Sequence, residues 1–170
     1  MTNKEIAQEI RKAIRECGYS RKDISVKSSY VGYSSKFDVI IKNPLIRLSA
    51  IKDIVKRFES YERDIASGEI LEGGNDYVFV SYEYGIYDDV INEVMPDAEK
   101  IFNNENYNGH IIAETKNKHL HINILDKYVS VLGEFDKGEK ITYKPTYYIK
   151  SVRDLAIALW RFYNIGTIYA

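Results

Sequence analysis

The chain has 170 residues, with 24 Lys plus Arg against 25 Asp plus Glu and a net charge of −1. That balance argues against a nucleic-acid coat protein or a wholesale DNA mimic, each of which needs a large excess of one sign. With 45% hydrophobic residues a core is available, and the length suits one compact domain or two small ones. A single cysteine, Cys17, excludes an internal disulfide and any multi-cysteine metal site. The N-terminus lacks the apolar run of a signal peptide, and no stretch approaches the roughly 18 apolar residues of a membrane span. A soluble protein of the reducing cytoplasm, without a cofactor, is the expectation.

Ile6, Ile10, Ala13, Ile14 and Cys17 recur at three- and four-residue spacing and predict an amphipathic helix over 3–17, with Cys17 on its buried stripe. Thr2 and Glu5 have capping-box spacing, and Gly18 marks the end. Ile24, Val26 and Ser28, then Phe37, Val39 and Ile41, alternate with polar residues around the small turn at Gly32, Ser34 and Ser35, which predicts a β-hairpin. Asn43 and Pro44 suggest an N-cap and a first helical position, followed by the stripe Leu48, Ile51, Val55 and Phe58. Past the acidic, glycine-containing YERDIASGEILEGGND, residues 77–82 are apolar on both faces and predict a central strand.

A helical pattern then runs from about Asp88 to Phe102, interrupted at Pro96, and the turn-rich NNENYNG at 103–109 suggests a linker. Four strands follow, over 111–114, 120–124, 128–132 and 141–149, and Ser151 and Asp154 cap a final helix carrying Val152, Leu155, Leu159 and Phe162. The pattern gives an α+β fold of two small subdomains, 1–103 (α-β-β-α-β-α) and 104–170 (sheet plus terminal helix), each an antiparallel sheet covered by helices.

Candidate chemistry is sparse. His119 and His121, two apart in a strand, could share a metal with His110 and Glu114 or act as an acid–base pair in RNA cleavage beside Lys116 or Lys118. No third ligand has motif spacing, and polar residues on the solvent side of a half-buried strand explain the pair as well. No G-x-S-x-G, phosphate-cradling glycine motif or EF-hand spacing occurs, and no catalytic or metal-binding residue is assigned.

Binding surfaces are more prominent, because the charge is unevenly distributed. Residues 1–57 hold 13 basic and 6 acidic residues, a net +7; 58–105 hold 2 and 13, a net −11; 106–170 hold 9 and 6, a net +3. Lys4, Arg11, Lys12 and Arg15 on the first helix, Arg21 and Lys22 after it, and Lys27 and Lys36 in the hairpin form a candidate basic ridge. With Tyr30 and Tyr33 at the hairpin tip, such a ridge suits RNA or DNA, cations holding phosphates and rings stacking on bases. Glu5, Glu9 and Glu16 are interleaved and weaken its field. In the acidic middle, Tyr82, Tyr84, Tyr87, Asp88, Asp89 and Glu93 form a candidate patch for an arginine-rich protein surface. The carboxylates would also favour a helix N-terminus there.

The order of elements carries a resemblance. EIAQEIRKAIRECG, then ISVKSSYVGYSSKFDVIIKNP, a helix, an acidic glycine-containing stretch and YVFVSYEYG together resemble the large polyvalent protein-associated domains of phage and plasmid proteins. In these a basic helix leads into a strand of the FSVRS type, here ISVKS at 24–28. The same module is similar to the N-terminal part of small type II-A anti-CRISPR proteins from staphylococci and related Firmicutes, over about residues 3–95. The resemblance implies a stoichiometric inhibitor of a Cas9 effector or its guide-RNA complex in a bacterial host cell, with no catalytic residue carried over. The alternatives are a nucleic-acid-binding accessory module of a mobile element and an RNA-cleaving enzyme using His119 and His121. A homodimer through exposed sheet edges is a further expectation.

Overall fold

The computed structural model describes residues 1–71, 73–103, 109–114, 118–125, 128–136 and 147–168; among the strands of the C-terminal half it describes side chains at Leu120, Ile122 and Ile149. The fold is α+β, in two compact units, Met1–Ile86 and Tyr87–Ala170.

The first unit begins with α1 (Asn3–Glu16), whose capping box forms as the sequence predicts: Glu5 N donates to Thr2 Oγ1, and Thr2 N donates to the Glu5 carboxylate at 2.7 Å. The bonds from Thr2 hold the Glu5 carboxyl below its ordinary range. The helix stops at Glu16. Cys17 is its C-cap and is exposed, and the chain turns at Gly18 with φ +89°. The buried stripe therefore ends at Ala13 and Ile14 and does not include the thiol, contrary to the periodicity. Native protein is accordingly expected to release one equivalent of thionitrobenzoate from Ellman's reagent as fast as denatured protein; a thiol that reacts only after denaturation contradicts this placement.

Strands β1 (Ile24–Val31) and β2 (Ser34–Ile41) form the predicted antiparallel hairpin across a two-residue turn, Gly32–Tyr33, with Gly32 at φ +58°. Helix α2 (Leu48–Val55) starts four residues later than the Asn43–Pro44 pair suggests. Asn43 makes a turn instead: its Oδ1 accepts from Leu45 N, and its Nδ2 donates to Asp23. The helix leads through a 3-10 turn, Lys56–Phe58, to β3 (Asp76–Tyr82), which pairs parallel to β2.

Sheet order is β1-β2-β3, so β2 is central, β3 is an edge strand, and the sheet is mixed; residues 77–82 are not the central strand their double-sided apolarity suggests. Their core side is Val78, Val80 and Tyr82 and their outer side Tyr77, Phe79 and Ser81. Both helices pack on the core side. Ala7, Ile10 and Ile14 of α1 and Ile51 and Val55 of α2 meet Ile24, Val26, Phe37, Val39, Ile41 and Val78, with Phe37 and five of the aliphatics fully buried. Each such side chain contributes about 1.5–3 kcal/mol through burial.

The second unit opens with a turn and a 3-10 segment, Ile91–Glu93, before α3 (Met95–Phe102). Pro96 occupies the first turn of that helix, where a missing N–H costs nothing, so it begins the helix that the sequence pattern has it interrupt. A four-stranded sheet, β4 (Gly109–Glu114), β5 (Lys118–Leu125), β6 (Tyr128–Asp136) and β7 (Tyr147–Ile149), is antiparallel in chain order. Helix α4 (Val152–Ile165) has the predicted Ser151 cap, with Asp154 N donating to Ser151 Oγ at 3.1 Å. It packs on α3 and buries Leu155, Leu159, Trp160 and Phe162. The division at 86/87 falls before the expected 103/104, because α3 belongs with α4 rather than with the first sheet. Residues 104–108 of the predicted linker, and 141–146 of the predicted last strand, lie outside the described residues.

Candidate nucleic-acid interface

The basic ridge divides between the two sides of the first sheet. Helix α1 runs antiparallel to β1, since Asn3 Nδ2 donates to Ser29 O and Arg11 Nη2 to Val26 O at 2.7 Å. A groove of about 690 Å³ follows their seam, lined by Arg11, Lys12 and Arg15 of α1, Arg21 of the following loop, and Ile24, Ser25 and Val26 of β1. Glu9 also reaches it. Arg11 is half-buried and fixed by the Val26 carbonyl, whereas Lys12, Arg15 and Arg21 are exposed and present their charge to solvent.

The loop that carries Arg21 and Lys22 is built on Asp23. Its Oδ2 accepts from Ser20 Oγ and its Oδ1 from Asn43 Nδ2, and these bonds hold the carboxyl below its ordinary range. Lys4 lies near the other end of α1, beside the hairpin tip where Tyr30 and Tyr33 are 69% and 94% exposed. From Lys4 to Arg15 the helix advances about 16 Å, so the cations line one side of an extended path. A polyanion is the chemistry such a path matches.

Lys27 and Lys36 do not extend it. Val26 and Phe37 are buried against α1 and α2, so their strand neighbours project from the opposite side of the sheet. There Lys36 Nζ pairs with Asp38 at 3.0 Å and lies 5.5 Å from the Phe79 ring centre. The same side carries a row of rings, Tyr61 to Tyr77 at 5.6 Å and Tyr77 to Phe79 at 6.4 Å between centroids. None of the three rings stands out in the sequence as a binding residue. The available signal was the double-sided apolarity of 77–82, which on an edge strand means aromatic side chains left facing out.

Asn75 is the other residue that sequence reasoning passes over. It is 1% exposed, its Nδ2 donates to Leu71 O and Tyr77 OH, its Oδ1 accepts from Glu62 N, and its carbonyl accepts from Ser35 N. Its side chain thereby joins two parts of the acidic stretch and seats Tyr77, while its main chain ties that stretch to the hairpin.

The residues of the acidic tyrosine patch divide between the two units. Tyr82 lies in the first unit, where its hydroxyl donates to Ile46 O and accepts from Leu48 N, bracing the start of α2. Tyr87, in the second unit, is 6% exposed, packs edge-on to Trp160 at 5.8 Å and accepts from Arg161 Nε. Asp88 forms an ion pair with Arg153. Asp89 and Glu93 are exposed; Asp89 lies in the turn before the 3-10 segment and Glu93 in the first turn of that segment, ahead of α3. Tyr84 is fully exposed and keeps its availability for contact.

His119 and His121 occupy alternate positions of β5 from the buried Leu120 and Ile122, with a register shift after His121. Their side chains, and those of His110, Glu114, Lys116 and Lys118, lie outside the described residues. Among the described residues no cluster of three or more His, Cys, Asp or Glu is placed to hold a metal, and no helix is long and apolar enough to cross a membrane. Comparisons with family models, curated proteins and solved structures give no match for the chain.

Proposed function

We propose that the protein is an anti-CRISPR inhibitor of a type II-A Cas9 nuclease that acts by stoichiometric binding to the effector or its guide-RNA complex, with the groove between α1 and β1 meeting guide-RNA phosphates. The observation that supports this reading is the convergence of Arg11, Lys12, Arg15 and Arg21 on one groove. The ISVKS segment that carries the resemblance supplies Ile24, Ser25 and Val26 to its wall. An effector loaded with RNA offers a polyanion beside a basic protein surface, and a chain with separate basic and acidic segments can meet both.

The test adds increasing protein to effector–guide complexes and follows DNA binding, DNA cleavage and guide length separately. Inhibition that saturates near one protein per effector, with full-length guide RNA, is expected. Shortened guide RNA would instead favour catalysis by His119 and His121. Binding to free RNA or DNA, steeply weakened by salt and without effect on any effector, would favour the accessory-module reading.

A further inference from the structure

The side of the first sheet away from α1 and α2 has a composition unlike an ordinary solvent face. Its outward positions are Ser25, Lys27, Ser29 and Val31 on β1, Ser34, Lys36, Asp38 and Ile40 on β2, and Tyr77, Phe79 and Ser81 on β3. Register aligns Lys27 with Asp38 and Phe79, and Ser29 with Lys36 and Tyr77, so Lys36 stands directly beside the ring column of β3 and Lys27 one strand further out, across Asp38. Tyr61 extends the ring row from the neighbouring segment, held there by the Ser60–Asp76 bridge. Phe79 is 51% and Tyr61 40% exposed, a strong departure for large aromatics in a strand and its flank.

We propose that this face is a stacking platform for single-stranded nucleic acid, with bases on Tyr61, Tyr77 and Phe79 and phosphates against Lys27 and Lys36. Three physical features favour that occupant. The rings run in sequence at 5.6 and 6.4 Å; Tyr77 and Phe79 are inclined by only 27° and offer neighbouring bases a common stacking direction, while Tyr61, tilted 59° to Tyr77, flanks the pair. The outward positions hold two lysines and one carboxylate, and that carboxylate, Asp38, is already paired with Lys36. Serines at positions 29 and 81 offer hydroxyl donors and acceptors on the same face as the rings. Nearer Tyr61 the charge is acidic, with Glu59 beside its phenol, which places the phosphate path on the β1–β2 side of the rings. The platform is separate from the α1 groove, because the two lie on opposite sides of the sheet, and it stands whether or not an effector is the target.

The test measures anisotropy of fluorescein-labelled 12-mers of U and of dT with the full chain at two salt concentrations, and of a labelled octa-arginine peptide as the contrasting ligand. Phe79→Ala is expected to weaken 12-mer binding roughly tenfold, and Phe79→Tyr to keep it, with unchanged far-UV circular dichroism. Should Phe79→Ala alter the fold, Lys27→Ala provides the second reading, a salt slope shallower by about one. Stronger binding of U12 than dT12, or the reverse, identifies the sugar the platform accepts and supports it in either case. Equal 12-mer affinity for wild type, Phe79→Ala and Lys27→Ala overturns the proposal, as does the absence of saturable 12-mer binding. Phe79-dependent binding of octa-arginine in preference to both 12-mers also overturns it. Arg15→Glu, on the other side of the sheet, separates the outcomes: a loss confined to Arg15→Glu supports the groove and removes the platform.

Discussion

Phe37→Ala lowers the stability of the protein by about 3–5 kcal/mol, the range for emptying a phenylalanine site in a packed core. Phe37 is fully buried in the central strand, between the strip of α1 that contains Ile10 and Ile14 and the strip of α2 that contains Ile51 and Val55. Neither helix can close the hole without dragging its partner strand, because the two helices pack on each other as well as on the sheet. A small domain has roughly 5–15 kcal/mol in all, so the variant should unfold at much lower urea concentration with a similar denaturant slope. Phe79→Ala makes the informative contrast. It removes the same ring from the neighbouring strand, but from the uncovered side, and should shift stability by no more than about 0.5 kcal/mol. Equal losses for the two variants would contradict the assignment of faces.

The second large effect concerns the groove. Arg15→Glu with Arg21→Glu reverses two exposed charges on its wall while leaving Arg11 on the Val26 carbonyl and the α1 stripe intact. Each reversal exchanges an attraction for a repulsion of about 1 kcal/mol apiece at contact distance in water, and tenfold in affinity is about 1.4 kcal/mol. The double variant therefore loses about 4 kcal/mol before screening and should bind the guide-RNA complex roughly 700-fold more weakly at low salt, a difference that shrinks as salt rises. Lys22→Glu, in the same loop but outside the groove wall, should do less. A double variant that binds and inhibits like the wild type, with native circular dichroism, removes the groove from the interface.

Much of the fold can be read from local chemistry. The capping box at Thr2, the N-cap at Ser151, the alternation of 24–28 and 37–41 and the stripe of α1 as far as Ile14 each depend on contacts within a few residues, and each appears where its pattern places it. The errors come from long-range pairing. Residues 77–82 look central because both faces are apolar, yet β3 lies at the sheet edge, and α1 and α2 pack on only one side of the sheet, so its other face stays open to solvent. Pro96 looks like a break because nothing in the sequence says that the helix begins beside it.

The candidate site follows the same division. Arg11, Lys12, Arg15 and Arg21 are legible as one group, since helical spacing and adjacency place them together. Lys27 and Lys36 are misassigned because strand parity decides their side of the sheet, and that side is set by where α1 and α2 pack. Tyr82 and Tyr87 look like contact residues only while their partners, Ile46 and Leu48 for one and Trp160 and Arg161 for the other, are distant in sequence. The row of Tyr61, Tyr77 and Phe79 becomes visible only once the segment around Ser60 is bridged to Asp76.

The most direct test of the proposed inhibition is a titration of target-DNA cleavage across a panel of type II-A Cas9–guide complexes with the wild-type protein. The expected result is a linear fall in cleavage, in at least one complex, to an end point near one protein per effector, with the guide RNA intact. Undiminished cleavage by every complex in the presence of excess protein would contradict the proposal.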